Sequence, residues 1–182
     1  MMRTIKILTG LILPALILGS GLSAARAAST PPGTTPLEES VRKALVTIPF
    51  LTVFDDLSFR VDNGVVTLLG EASQPIVMDY AEGAVKNLPG VAGVKDRIEL
   101  LPLSPFDDRI RLQTFRALNR TPSLYRYFMG TYPSIRIVVK NSHVTLDGVV
   151  QNSMDSQLAF MAANQVPGVF SVTNNLRLEP KL

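Results

Sequence analysis

The spacing of apolar positions changes several times along the chain, and each change marks an element. Leu37, Val41, Ala44, Leu45 and Ile48 recur every three or four residues, which predicts a helix from Leu37 to Ile48. Glu38 and Glu39 suit its first turn, and Pro49 stops it. The period then falls to two: Leu57, Phe59 and Val61 alternate with polar neighbours, as in a half-buried strand. Asn63-Gly64 predicts a type I′ hairpin, because both residues tolerate positive φ. The returning strand, Val65 to Glu71, turns Val66 and Leu68 to the buried face. Pro75 fits a first helical turn, and Val77, Tyr80, Ala81, Ala84, Val85 and Leu88 form one apolar stripe behind it. Pro89-Gly90 ends that helix, and Val94, Ile98 and Leu100 alternate as a third strand. Helix, strand, strand, helix, strand is an order in which two helices cover one face of a three-stranded sheet.

The chain contains this unit twice. Shifted by 78 positions, Val61-Asp-Asn-Gly-Val-Val-Thr-Leu-Leu-Gly70 lies on Val139-Lys-Asn-Ser-His-Val-Thr-Leu-Asp-Gly148. Leu88-Pro-Gly-Val91 falls on Val166-Pro-Gly-Val169 at the same offset, and Leu100 on Leu178. Two copies are too few for a solenoid, and each is long enough for a small fold. Units of about 70 residues are near the lower limit for a self-sufficient core, so packing between the two domains is expected.

The second copy departs from the first at its front end. Ala44-Leu45 and Pro49 match Ala117-Leu118 and Pro122 at an offset of 73, so five extra residues precede the second hairpin. They fall in Tyr125-Arg-Tyr-Phe-Met-Gly-Thr-Tyr132, which holds three of the chain's four tyrosines. On the preceding helix, Asp107 to Asn119, the helical period gathers Arg109, Arg116 and Arg120 opposite Ile110, Thr114 and Leu118. Guanidinium groups pair with phosphate, and tyrosine suits a polar–apolar boundary. Arg109, Arg116, Arg120, Tyr125, Arg126, Tyr127, Phe128 and Tyr132 are therefore candidate contacts to anionic headgroups. A solvated helix face and an aromatic cap on the core are the structural alternatives.

Charge adds a second asymmetry. The chain has 18 basic and 15 acidic residues, but three of the basic ones, Arg3, Lys6 and Arg26, precede Ala28. Residues 28–104 carry a net charge of −4 and residues 105–182 one of +4, which points to partners that differ between the domains. Arg3 and Lys6, the apolar stretch Ile7 to Leu22 and the small residues of Ala25-Arg-Ala27 read as a signal peptide over residues 1–27. A retained anchor is the alternative, though the apolar run is short for a span. Residues 28–36 read as a Pro/Thr linker. The chain has no cysteine, which excludes a lipid-anchored product, disulfides and thiolate metal sites.

Catalytic chemistry is not indicated. His143 is the single histidine and has no nucleophile motif around it. Glu38-Glu39 and Asp107-Asp108 sit at helix starts, where negative charge complements the dipole. Asp55-Asp56 has no metal-binding partner motif. No enzyme, cofactor or metal site is expected.

Val61-x-Asn-Gly-x-Val-x-Leu-x-Gly70 with Leu88-Pro-Gly-Val91, Val94 and Ile98, and its second copy Val139 to Gly148 with Val166-Pro-Gly-Val169, Val172 and Leu176, resembles the BON domain (bacterial osmotically inducible and nodulation domain). Ser142 in place of the turn glycine, Asp96 opposite Asn174 and the insertion depart from that pattern. The resemblance implies an α+β chain of two tandem αββαβ domains, at residues 37–103 and 106–180. Each is a three-stranded mixed sheet covered by two helices. It also implies a periplasmic, envelope location. Two-domain members include a soluble chaperone-like stress protein and a lipoprotein that binds anionic phospholipid through the first helix of its second domain. Anionic phospholipid or envelope proteins are the implied partners, and nucleic acid is not expected for an exported chain. A lipid-binding envelope module supporting envelope integrity or stress tolerance is one reading; a soluble chaperone-like or protein-interaction module is the other.

Cleavage after Ala27 is a direct consequence of the leader pattern. Intact-mass measurement on protein expressed with export is expected to show a start at or beside Ala28. Recovery of the whole chain in the inner membrane would make the leader an anchor.

Overall fold

The structure is a computed structural model that describes residues 35–130 and 132–180. The expected signal peptide and residues 28–34 of the linker lie outside the described residues. Eleven elements follow in order: α1 (Pro36–Val46), β1 (Asp56–Asp62), β2 (Val65–Ala72), α2 (Pro75–Lys86) and β3 (Gly93–Leu100); then α3 (Pro105–Arg120), a 3₁₀ turn (Tyr125–Phe128), β4 (Ile135–Lys140), β5 (His143–Val150), α4 (Ser153–Asn164) and β6 (Ser171–Leu178). The chain is thus two αββαβ domains.

Helix boundaries follow local chemistry. Thr35 and Glu38 form a capping box: the Thr35 hydroxyl accepts from the Glu38 N–H (3.2 Å) and the Glu38 carboxylate accepts from the Thr35 N–H (2.6 Å). Helix α1 ends at Val46, two residues short of expectation. The Thr47 hydroxyl donates back to the Lys43 and Ala44 carbonyls, and Ile48 reaches the core from outside the helix. Helix α3 starts two residues early because Ser104 caps the Asp107 N–H (3.2 Å) and Pro105 takes the first turn.

In each sheet the middle strand pairs antiparallel with the hairpin strand before it and parallel with the strand after the helix, giving the orders β1-β2-β3 and β4-β5-β6. Val66 and Leu68, and likewise Val144 and Leu146, are fully or almost fully buried beneath the helices. Gly70 (φ 110°) and Gly148 (φ 127°) pair with Leu57 and Ile135, and a Cβ on either would collide with the carbonyl of Asp56 or Ser134. Only glycine lets the hairpin partner pass that close.

Two expected core positions are corrected. Leu100 is exposed; the inward alternation ends at Ile98, and Leu101 turns into the core instead while its N–H donates to the Ala72 carbonyl (2.8 Å). Tyr80 also stands in solvent, packed against Phe50 with ring centroids 5.9 Å apart. Asp107 lies in the first turn of α3, as the helix-dipole reading has it, and has a second role. Its carboxylate is buried and accepts from the Asn141 and Ser142 N–H groups, both at 2.9 Å. Those residues hold φ of 51° and 68°, so Asp107 clamps the hairpin whose turn lacks glycine.

The second domain is joined to the first along β4. The Val53 carbonyl accepts from the Ile137 N–H (2.9 Å), and the nearly buried Arg136 donates to the Thr52 carbonyl (3.1 Å). Phe54 stacks edge-on to Phe115, and Phe115 to Phe128. Asp55 is fully buried and fixes this loop by accepting from the backbone N–H and hydroxyl of both Thr52 and Ser73. The Asp55-Asp56 pair is therefore divided: Asp55 is a loop staple, while Asp56 faces the cleft between the domains.

Leu68→Ala and Leu146→Ala are each expected to cost about 2–5 kcal/mol in chemical denaturation. Thr67→Ala and Thr145→Ala, on the opposite face, should cost far less. Equal losses at the two kinds of site would overturn the assignment of sheet faces.

Candidate functional site

Helix α3 turns Ile110, Thr114 and Leu118 into the second core, which leaves the opposite stripe outward. That stripe carries Arg109, Arg116 and Arg120, all exposed. Among the described residues none of the three has an ion-pair partner. Leu112 and Phe106, which sequence reasoning passed over, are exposed among them. The helix's remaining arginine, Arg111, is buried; it pairs with Asp108 and donates to the Val139 carbonyl (2.8 Å). Arginine content alone does not separate the two kinds. Their place on the helical period does.

Beside the stripe lies a groove of about 530 Å³ between α3 and α4, whose walls include Arg116 and Arg120 on one side and Ala162 and Gln165 on the other. Arg109 is not part of it. The outer face is thus cationic, wet and partly apolar, suited to polyanions held by charge-assisted hydrogen bonds.

The tyrosine-rich insertion divides. Tyr127 is buried; its hydroxyl donates to Asp155 (2.6 Å) and accepts from the Gln151 N–H (2.9 Å). Burial pushes the Tyr127 phenol above its usual range, with its bond to Asp155 acting the same way. Arg126 pairs with the same carboxylate. Burial alone would raise Asp155, but the bonds from Tyr127 and Arg126 outweigh it and hold the acid below its ordinary value. Phe128 is half-buried against Phe115. Tyr127 and Phe128 therefore cap the second core, and Arg126 is tied to that cap, so the headgroup role expected of these three is withdrawn. Tyr125 remains exposed. Tyr132 is exposed as well, but its ring lies 3.4 Å from the Arg136 guanidinium, beside the cleft between the domains.

That cleft, of about 870 Å³, collects ionic groups from both domains, among them Arg42, Asp56, Arg136, Asp147 and Arg177. Cross-strand register places Asp56, Glu71 and Glu99 abreast on the outer face of the first sheet, an unfavourable row of like charges. Lys140 of the second domain pairs with Glu99, and Arg136 and Arg177 attract Asp56. Part of the opposite charge of the two halves is thus answered within the molecule, not by separate partners. His143 is exposed, its Nδ1 2.6 Å from the Ser171 hydroxyl. Among the described residues no cluster of three metal-binding side chains occurs, and no helix is long and apolar enough to cross a membrane.

The family model for the BON domain matches residues 34–102 and again 106–180. No curated protein matches the chain. Among solved structures, the chain is similar to the C-terminal domain of CdsD, the structural protein of the type III secretion system of Chlamydia trachomatis, at 12% identity over 81% of this chain and 99% of that one, with a TM-score of 0.28. A second CdsD structure matches at 12% identity over 80% of this chain and 93% of that one, with a TM-score of 0.27.

The acidic row generates a pH dependence. Burial raises the Glu71 carboxyl, and repulsion from Asp56, Asp147 and Glu99 adds to it. The folded chain then holds this proton more tightly than the unfolded chain. Its contribution is fully present below the ordinary carboxylate range and is lost as pH rises through the raised native value. Glu71→Gln is expected to be more stable than wild type near about pH 7, with the gap closing on acidification to about pH 4. A gap constant across denaturation curves at several pH values would refute the linkage.

Proposed function

The chain belongs to the BON family, and from that premise we propose that it is a non-enzymatic exported envelope protein whose second domain docks on anionic phospholipid surfaces. Members of this generally non-catalytic family occur in cell envelopes, which supports a periplasmic site of action and a role in envelope integrity or stress tolerance. The observation that carries the reading is the outer face of α3: three exposed arginines without ion-pair partners among the described residues, interspersed with Phe106 and Leu112. Cations on flexible stems with apolar residues between them suit a headgroup layer. A soluble chaperone-like or protein-interaction module is the second reading, favoured by Leu103 and Phe170, which are 93% and 81% exposed.

The two separate by salt and by charge reversal. Each basic residue near an anionic surface contributes on the order of 1 kcal/mol, so Arg116→Glu with Arg120→Glu should lose roughly 4 kcal/mol of binding. Lys43→Glu with Lys86→Glu, in the first domain, should have little effect. Co-sedimentation with phosphatidylglycerol-rich and neutral vesicles at low and physiological salt reads this out. Equal binding to both vesicles, or full binding by the double arginine variant, would reject lipid docking in favour of the second reading.

A further inference from the structure

The repeat allows the two helical layers to be compared position by position. Where α2 carries Asp79, Glu82 and Lys86, α4 carries Gln157, Phe160 and Asn164. Asp155 is the single charged residue of α4, and it is buried against Tyr127 and Arg126. The outer face of α4 therefore has no charge, although α3 beside it is rich in arginine. A face that met only water, or only a soluble polyanion, gains nothing from that loss.

Helix α4 runs antiparallel to α3. Phe106, at the start of α3, packs by Gly168 beyond the end of α4, while Arg126, beyond the end of α3, pairs with Asp155 in the first turn of α4. Ala162 and Gln165 line the groove that Arg116 and Arg120 border. Met161 precedes Ala162 and lies one turn before Gln165, which puts it on the outer lip of that groove; Met154, two turns earlier, continues the stripe. These methionines are 48% and 61% exposed. Methionine is flexible and adapts to irregular apolar surroundings. Exposed in pairs, such side chains favour a surface that can receive them.

We propose that α4 is the apolar half of the docking face: Met154 and Met161 seat at the headgroup–acyl boundary of an anionic bilayer while Arg116 and Arg120 hold phosphates across the α3–α4 groove. This rests on the lipid-docking reading above and adds insertion to it. Charge complementarity selects the occupant, since an uncharged methionine stripe alongside exposed arginines matches an anionic layer with hydrocarbon directly beneath it. Attraction by the arginines alone disappears in salt, whereas an inserted stripe leaves a salt-resistant remainder.

The chain contains no tryptophan, so a single introduced one is a clean reporter. In the full mature chain, emission of Met161→Trp is expected to shift to the blue on phosphatidylglycerol-rich vesicles and to be quenched by lipids brominated on the acyl chain. Emission of Ile76→Trp, at the position in α2 that matches Met154, should stay as in water. Met154→Ser with Met161→Ser should weaken binding about tenfold at low salt and abolish the fraction that survives about 0.5 M salt, with an unchanged far-ultraviolet spectrum. Arginine-dependent binding in which Met161→Trp is neither shifted nor quenched would overturn insertion and leave lipid docking standing. Absence of binding by wild type would overturn both.

Discussion

A buried arginine sets the arrangement of the two domains. Arg136 is 3% exposed, and a cation removed from water that far must be answered by its surroundings. The Thr52 carbonyl, the Tyr132 ring and the field of Asp56 supply the answer. Each comes with its own dependents. Thr52 is positioned by Asp55, Tyr132 by the inserted segment, and Asp56 by the carboxylate row of the first sheet. Removing the arginine would take one of the cations that attract Asp56, leaving Arg177 beside it and Lys140 on Glu99, and removing the loop would take the arginine's carbonyl acceptor. A buried donor left without its acceptor costs about 1–3 kcal/mol, and more when it is charged, a sizeable share of the margin of about 5–15 kcal/mol that holds a domain folded. Val53 and Phe54, brought in by the same loop, close the second core from outside.

This joint explains why two copies of one fold have different surfaces. The first sheet's acidic row is tolerable because the second domain presents Arg136, Lys140 and Arg177 to it. The second domain's exposed arginines on α3 have no such counterpart among the described residues. Charge in the second domain is therefore of two kinds: one set holds the molecule together, and the other faces outward. The insertion serves the first purpose. Tyr127 caps the core through Asp155, and Phe128 extends the aromatic contact that begins at Phe54.

The fold was legible because its determinants are local. Periodicity, the Asn63-Gly64 turn, the prolines at helix starts and the repeat itself place the α-helices and strands to within about two residues, though not the 3₁₀ turn Tyr125–Phe128 inside the insertion, and the arginine stripe of α3 follows from the same period. What sequence could not supply was non-local. Leu100 and Leu101 differ by one step of strand alternation, and it is Leu101, bonded to the Ala72 carbonyl beyond the end of the strand, that enters the core. Tyr127 looks like Tyr125 and Tyr132 until Asp155, 28 residues on, is seen beneath its hydroxyl. The carboxylate row needs strand register before Asp56, Glu71 and Glu99 become neighbours. The contrast between the charged outer face of α2 and the uncharged outer face of α4, by comparison, is visible in the sequence at the repeat offset.

The substitutions between the copies are therefore coupled, not drift at independent positions. Ser142 replaces the glycine of the first hairpin, and a non-glycine residue at a φ of 68° carries a conformational penalty. Asp107, whose place in the first domain falls at Thr34 before α1, offsets it by accepting both turn N–H groups. A carboxylate buried for that purpose then fixes the start of α3 against the β4–β5 hairpin. With that end tied down and Tyr127 tying down the far end through Asp155, the helix is held at both termini and along its core face while its outer face meets solvent. An outward row of arginines is thereby displayed on a rigid support, so ordering it against a charged surface costs side-chain entropy and little backbone entropy.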